Sequence, residues 1–489
     1  MANRVAILYL ATFLSGFYSF FILPDTAITM DCNIYLEGAD SLQRGAYRHD
    51  WHAGGPPITL YPPGQSALLA LGLRLANPDA PFPTLIAICL GIAALAVILL
   101  YSALRAFGLP VLFSLLCAML VGTSPSYVIL PLKLFSEPLF LAFLNAALLL
   151  GLYSKRAGNN LAAFLSGLSL AAAFLCRTAA IPFIGLLLAF TVYRWYRDRR
   201  ISIPLMFAAL PGAIAAIAWW LFRARQYSHA DMLVNAWRDG GFSAVGRNFL
   251  EYLSGRSLID SICPLIFRFP AVLANHGFFS VAFLAKVAVI ALGLGAVFII
   301  FHGLRRSLAD SNHRFLAAAS FAYVAMLIVW PNYIGARSLF PILPAVFVYW
   351  FAASARNTNT KTPIALLSLM TTLNLVLSAR GLRAFGAESH LAEQRELHPT
   401  ILELGKPTVA AGWQISKWHL HHETGARIVP ELPAGKDEFL PSIGNETAEL
   451  WLIDTTVPNW SPDTNGWREI KKSSQGNFRL LSRINNSQP

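Results

Sequence analysis

Charge is scarce in this chain. Only 13% of its 489 residues are Asp, Glu, Lys or Arg, against 55% hydrophobic ones. That is too little charge to cover a water-soluble globule of this size, so that class is excluded. Cysteine is scarce too. Cys32, Cys89, Cys117, Cys176 and Cys263 stand apart without CxxC spacing, which excludes a thiolate metal cage and a disulfide framework. A Cys32–Cys263 pair stays open, since spacing does not show proximity. No internal repeat is visible, which counts against the inverted-repeat plan of secondary transporters. Acidic residues are outnumbered 26 to 38, for a net charge of +12. In a soluble protein such an excess would suggest nucleic acid, but residues 1–380 hold 27 bases against 13 acids and 381–489 hold 11 against 13. The excess therefore lies in the apolar part, where Lys and Arg fix topology and meet membrane lipids, and no nucleic-acid partner is expected.

What is abundant is apolar sequence in blocks of membrane-spanning length, with a mean hydropathy of +0.52. Eleven spans are expected: 5–23, 82–104, 109–124, 136–152, 160–175, 178–193, 203–222, 279–301, 315–330, 338–353 and 362–379. The first has no small-residue cleavage site after it and is read as retained. The run 160–193 is too long for one crossing and is broken at Cys176-Arg177-Thr178, so a tight helical hairpin is expected. With the N-terminus inside, alternate loops carry Arg105, Lys155 and Arg156, the Arg194–Arg200 cluster, Arg305 and Arg306, and Arg356 and Lys361. The opposite short loops hold one base each: Lys133, Arg177 and Arg337. This asymmetry places N inside and C outside. It also makes 61–76 an interfacial helix opened by Pro62 and Pro63, with Arg74 snorkelling, because another crossing would invert every later loop.

The fold class that follows is an all-α polytopic membrane domain over 1–380, with an external loop 24–81 and an external segment 223–278 of short helices. A small external α/β domain over 381–489 completes it. In that tail PTVAA, ARIV, ELWLID, WREIK and FRLLSRI read as strands around Pro and Gly punctuation, and Gln414–Glu423 as a helix.

The loop after the first span is where chemistry concentrates. Asp31, Glu37, Asp40 and Asp50 fall within twenty residues of a chain otherwise poor in acids. A helix starting at Asp31 would align Asp31, Tyr35, Ala39 and Leu42 on one face, setting a carboxylate beside a phenol at the membrane surface. A partly desolvated acid there suits deprotonation of a sugar or lipid hydroxyl, although Asp31 as a plain helix N-cap stays open.

A first span, then D-x-x-x-Y-x-x-x-A-x-x-L-x-x-G (Asp31, Tyr35, Ala39, Leu42, Gly45), then YPPG (Tyr61 to Gly64), then S-E-P (Ser136 to Pro138), resembles the GT-C class of polytopic membrane glycosyltransferases. That class includes the protein O-mannosyltransferases and the lipid A aminoarabinose transferase. The resemblance covers the layout of residues 1–380. It implies transfer of a hexosyl or pentosyl group from a polyprenyl-phosphate donor to a lipid, glycan or protein acceptor. The setting it implies is a bacterial inner membrane, at the periplasmic or external face. The catalytic base of the first external loop maps onto Asp31, and the Tyr61 segment would shape the substrate cavity. Many members carry a second acid beside the first. Cys32 and Asn33 stand here instead, so no cofactor is assigned and a divalent cation stays open.

Three further sites belong to the same reading. Lys133 and Glu137 are four apart at an outer helix start, where Lys133 would hold the donor phosphate and Glu137 would touch a sugar hydroxyl or act as acid or base. A simple Lys-Glu pair is the alternative. Arg177 breaks an apolar hairpin, an expensive place for a guanidinium unless a phosphate offsets the cost. Arg337, with Tyr333 in WPNYIGARSLFPILP, resembles the late external loop near the lipid-linked donor; snorkelling is the alternative for both arginines. His419, His421 and His422 with Glu423 match neither HExxH nor a closed four-ligand spacing, so they are read as a solvated helix face. His49, Asp50 and His52 are reserve candidates for metal or acceptor contact, and Asn445-Glu446-Thr447 is a glycosylation sequon only in a eukaryotic secretory context. A flippase for lipid-linked saccharides is the competing function. It predicts ionisable residues inside spans, where Lys286 stands almost alone.

Overall fold

A computed structural model describes residues 2–23, 31–51, 55, 57–59, 61–200, 202–226, 243, 245–252, 254–264, 279–330, 336–354, 361–386, 389–405, 408–411, 415–430, 449–454 and 467–483. Tyr333, His52, the sequon and most of 223–278 lie outside them.

The apolar blocks form helices. Among the described residues eight are long and apolar enough to cross a membrane: Phe82–Ala106, Glu137–Ala157, Thr178–Asp198, Ile203–Arg225, Phe279–Ser307, Ser311–Val329, Arg337–Ser354 and Thr362–Ala379. The protein is thus an integral membrane protein. Three of the eleven expected spans are not among these eight. The block at 109–124 is continued by a second helix, Val111–Thr123 and Pro125–Leu132 meeting at 54°. Asn160–Cys176 is apolar but has only 17 residues. The first helix, α1 (Ala2–Ser19), is not among the eight. Only 11% of the Phe279–Ser307 span and 17% of Thr178–Asp198 are buried within the protein, so apolar side chains such as Phe283 and Phe298 face outward, as lipid requires.

By packing, the chain divides into two compact units rather than at residue 380. The first consists of Met1–Ile22, Ala87–Leu132 and Ser136–Arg383; the second of Leu23–Ile86, Lys133–Phe135 and Ala384–Pro489.

In the first unit, Asn160–Cys176 packs on both Glu137–Ala157 and Ile203–Gln226. Gly167 makes this possible, because a Cβ there would stand 2.4 Å from the Phe207 carbonyl oxygen. The bend at Ser124 has a local cause. Pro125 opens the second helix without an N–H, and side-chain hydrogen bonds are made at the break. Ser378 Oγ donates to Thr123 O at 2.8 Å, while Ser124 Oγ donates to Ser261 O at 2.9 Å. Asn374 Nδ2 donates to Ile262 O at 2.7 Å, so a short helix, Arg256–Ile262, is tied to the bend.

In the second unit, α2 (Asp31–Gln43) packs on α3 (Gly64–Leu75). Gly38 sets the separation, since its Cβ would meet Ser66 Oγ at 2.7 Å. At twelve residues α3 is too short to span. The strand-like runs of the tail are the strands of one five-stranded sheet, in order β2-β1-β3-β5-β4. β1 (Thr408–Ala411) runs parallel to β2 (Arg427–Pro430) and β3 (Leu450–Asp454), and the hairpin of β4 (Trp467–Lys472) and β5 (Phe478–Arg483) completes it. Helix Lys417–Thr424 crosses from β1 to β2 and stops at Gly425, whose φ of 68° is left-handed and suits glycine. This sheet packs with the first loop in one unit: Ile428 N–H of β2 donates to Trp51 O at 2.8 Å.

The reading of His419, His421, His422 and Glu423 as a solvated face holds for His422 and Glu423, which are exposed, and is overturned for His419. His419 and Trp418 are buried. The His422 ring stacks on Trp418 with centroids 3.8 Å apart, and His421 stacks on Trp51 at 5.7 Å. Polar residue types suggested exposure, but the aromatic partner Trp51 lies more than 350 residues away in sequence. All five cysteines are buried.

Candidate active site

The second unit holds the loop carboxylates. Asp31 is the first residue of α2 and is half-buried; the Tyr61 phenol donates to its Oδ1 at 2.6 Å. The sequence explains the placement. Pro62 and Pro63 fix the backbone ahead of α3, whose first turn closes with Ala67 N–H on Pro63 O, and Tyr47 donates to Tyr61 O at 3.0 Å. Tyr35, one turn after Asp31 and 1% exposed, sets its ring edge on Tyr61 with centroids 5.1 Å apart. Thus Asp31, Tyr35 and Tyr61 are brought together.

The other three acids hold the loop's shape. Glu37, 1% exposed, accepts from Trp51 N–H at 2.9 Å and lies 2.7 Å from His49 Nδ1. Asp40 and Asp50 share Arg44, and Asp40 also accepts from the Trp51 indole at 3.0 Å. His49 and Asp50 are thereby engaged in the loop itself. Among the described residues no three His, Cys, Asp or Glu side chains gather as a bound metal requires. Cys32 and Asn33, beside Asp31, are buried.

Lys133 belongs to this unit too, half-buried in the turn between helices. It is not on one helix with Glu137. Leu134 takes φ 58°, a left-handed conformation that ends the preceding helix, and its carbonyl accepts from Gln65 Nε2 at 3.0 Å.

The first unit brings three other expected residues together. Ser136 caps Glu137–Ala157, with Glu137 and Pro138 in its first turn. Arg177 interrupts the hairpin in extended conformation, φ −150° and ψ 131°. Its Nη1 lies 2.7 Å from Glu137 Oε1 and 3.3 Å from Ser136 Oγ. Arg337, on a 3₁₀ turn (Ala336–Ile342), places Nε 3.5 Å from the same Oε1. A buried glutamate therefore offsets the cost of two guanidinium groups. Sequence reasoning missed what holds the Arg337 turn: Tyr323 donates to Ser338 O at 2.9 Å, and Tyr252 and Ser338 hydroxyls lie 3.2 Å apart. No spacing signals these contacts, because Tyr252 and Ser338 are 86 residues apart.

No protein-family model and no curated protein matches the chain. Solved structures do. The chain is similar to ArnT from Cupriavidus metallidurans, bound to undecaprenyl phosphate, at 10% identity and a TM-score of 0.56, over 99% of both chains. It is also similar to the Archaeoglobus fulgidus oligosaccharyltransferase in complex with Zn and sulfate, at 12% identity and a TM-score of 0.51, covering 88% of this chain and 62% of that one. The S. cerevisiae protein O-mannosyltransferase Pmt1-Pmt2 complex, bound to the sugar donor, aligns over 45% of this chain and 32% of its own, at 17% identity and a TM-score of 0.36. The chain thus spans less than two thirds of the latter two. From ArnT and the archaeal enzyme, the chain has the fold of the GT-C polytopic membrane glycosyltransferases.

Proposed function

We propose that the protein transfers a sugar from a polyprenyl-phosphate donor to a lipid, glycan or protein acceptor at the outer membrane face, with N inside. The observation that carries this reading is the Asp31–Tyr61 contact at the start of α2, the loop in which the resemblance locates the base. ArnT, solved with undecaprenyl phosphate, supports the donor class.

The reaction is a direct displacement with inversion. Asp31 takes the proton of an acceptor hydroxyl as its oxygen bonds to the anomeric carbon, and the bond from that carbon to phosphate oxygen breaks. Arg177 and Arg337, with Lys133, take up the charge on the departing polyprenyl phosphate. Glu137 orients the two guanidinium groups, a role its 2.7 Å and 3.5 Å contacts favour over acid-base work. The Tyr61 ring, backed by the buried Tyr35, offers the acceptor an aromatic wall. No step runs through a cation.

The test uses purified protein in lipid with a panel of polyprenyl-phosphate sugars, scoring release of polyprenyl phosphate. Wild type turns over, and Asp31→Asn loses about 10²-fold or more. Full activity in a folded Asp31→Asn protein sinks the assignment; absence of turnover with every donor favours the flippase.

A further inference from the structure

Asp31 stands at the first residue of a helix, where the backbone frays because the first four N–H groups lack intrahelical partners. A base must nevertheless hold its geometry within a few tenths of an ångström. The anchor lies two residues on. Asn33, 4% exposed, sends Nδ2 to Ile415 O at 3.1 Å, and its Oδ1 accepts from Lys417 N–H at 3.1 Å. These two contacts fix the orientation of the amide, since a backbone N–H can meet only the oxygen and a carbonyl only the NH₂.

The far side of the same segment is held in the same way. Gln394, 2% exposed, accepts from Ser416 N–H at 3.1 Å and donates to Ser416 O at 3.3 Å. Residues 415–417 are thus the entry to helix Lys417–Thr424, pinned between two carboxamides, one from α2 and one from the short helix Ser389–Arg395. Gln394 belongs to the tail itself, whereas Asn33 belongs to the loop that carries Asp31. Neither contact is a generic surface hydrogen bond: both side chains are buried, and an unpaired carboxamide there would cost its full desolvation.

We propose that Asn33 is a positioning residue: it ties the first turn of α2, and with it the Asp31 carboxylate, to the 415–417 segment, so that the tail holds the catalytic loop in register. This rests on Asp31 being the base. It gives the α/β tail a task in the reaction that needs no contact with substrate.

Two variants test it. Asn33→Ala removes both bonds. Asn33→Asp keeps the acceptor for Lys417 N–H but sets a carboxylate against the Ile415 carbonyl; once protonated it donates there again and restores both bonds. Hydrogen exchange is read first and needs no substrate. In Asn33→Ala, amides 31–36 and 415–418 exchange about tenfold faster or more, while β3 and β5 are unchanged. In turnover, Asn33→Ala lowers kcat about tenfold with donor KM within about twofold, the pattern of a misplaced group rather than a lost binding contact. Asn33→Asp matches Asn33→Ala near pH 8 and recovers relative to wild type as pH falls to about 5, burial having raised the range in which its carboxyl protonates. A merely structural asparagine gives no such recovery.

Unchanged exchange at 31–36 in Asn33→Ala overturns the inference, as does an Asn33→Asp to wild-type kcat ratio that is flat with pH. If Asp31→Asn is inactive while both Asn33 variants keep wild-type kcat, the inference fails alone. If Asp31→Asn is fully active, the base assignment falls and this inference falls with it.

Discussion

At the scale of single residues, the site consists of groups whose partners set what they can do. Tyr61→Phe removes the hydrogen bond to Asp31 Oδ1 and is expected to lower kcat/KM about tenfold, since a hydrogen bond to a charged group is worth about 1.5 kcal/mol. An unchanged kcat/KM in folded protein would remove Tyr61 from the mechanism. Glu137→Ala leaves Arg177 and Arg337 without their shared carboxylate and should lower stability by about 2–3 kcal/mol, read by thermal unfolding in detergent; Glu137→Gln, which keeps the volume, should cost less. Asp31, Arg177 and Arg337 stood out in the sequence as candidates, because charge is so rare here that each instance carries information. What was not legible is pairing. For Arg177 a phosphate partner was expected, with snorkelling as the alternative, and the structure sets it 2.7 Å from a glutamate forty residues back.

At the scale of elements, composition reads helices well and their junctions poorly. The block 109–124 is apolar without interruption, yet Pro125 and the side-chain donors around Thr123 and Ser124 let it bend by 54°. Close helix approach is equally invisible. Phe279–Ser307 meets Leu343–Ser354 at Gly303, where an added Cβ would stand 1.8 Å from Tyr349 O. Gly303→Val should therefore part these helices and destabilise the protein by about 3 kcal/mol, above the usual cost of overpacking a side chain because backbone must move. A melting temperature within about 1 °C of wild type would contradict the packing.

Helix Lys417–Thr424 carries a pH expectation of its own. Burial, with neighbouring His421 adding to it, lowers the pKa of His422, while Asp40 and the Trp418 carbonyl oppose this. His419 and His421, the other titratable groups of that helix turn, lie against the rings of Phe82 and Trp51. Glu423 is pushed up by burial, but hydrogen bonds from His398 and Arg395 prevail and hold it at about 2. For His422 the unfolded chain takes the proton first, so its contribution is complete above about pH 6.5 and is lost as pH falls below it. For Glu423 the contribution is complete above about 4.5 and is lost toward 2. The second unit should weaken in acid in two steps, and His422→Phe, which keeps the ring stack on Trp418, should abolish the upper one.

For the whole molecule, hydropathy and packing draw different boundaries. Read along the chain, residues 1–380 form one membrane piece and 381–489 a tail. In space, Leu23–Ile86 packs with Ala384–Pro489. Sequence contiguity hides this, because the partners Asn33 and Ile415, or Trp51 and Ile428, are more than 370 residues apart and leave no periodic trace. The tail's strands were readable from turn residues and alternation; their attachment to the loop was not. A chain ending before Ala384 therefore loses more than an appendage. It removes both bonds of Asn33, the Ile428–Trp51 bond and the Trp418, His421 and His422 rings against Trp51. Trp51, 1% exposed in the full chain, would then meet water, at a cost of about 2–3 kcal/mol from its apolar area alone. The expected outcome is rapid hydrogen exchange and proteolysis across 31–51, with far-UV helicity of the membrane helices retained and glycosyl transfer lost. Protection of 31–51 equal to the full chain would instead show that the loop folds without the tail. Asn33 would then have no register to hold.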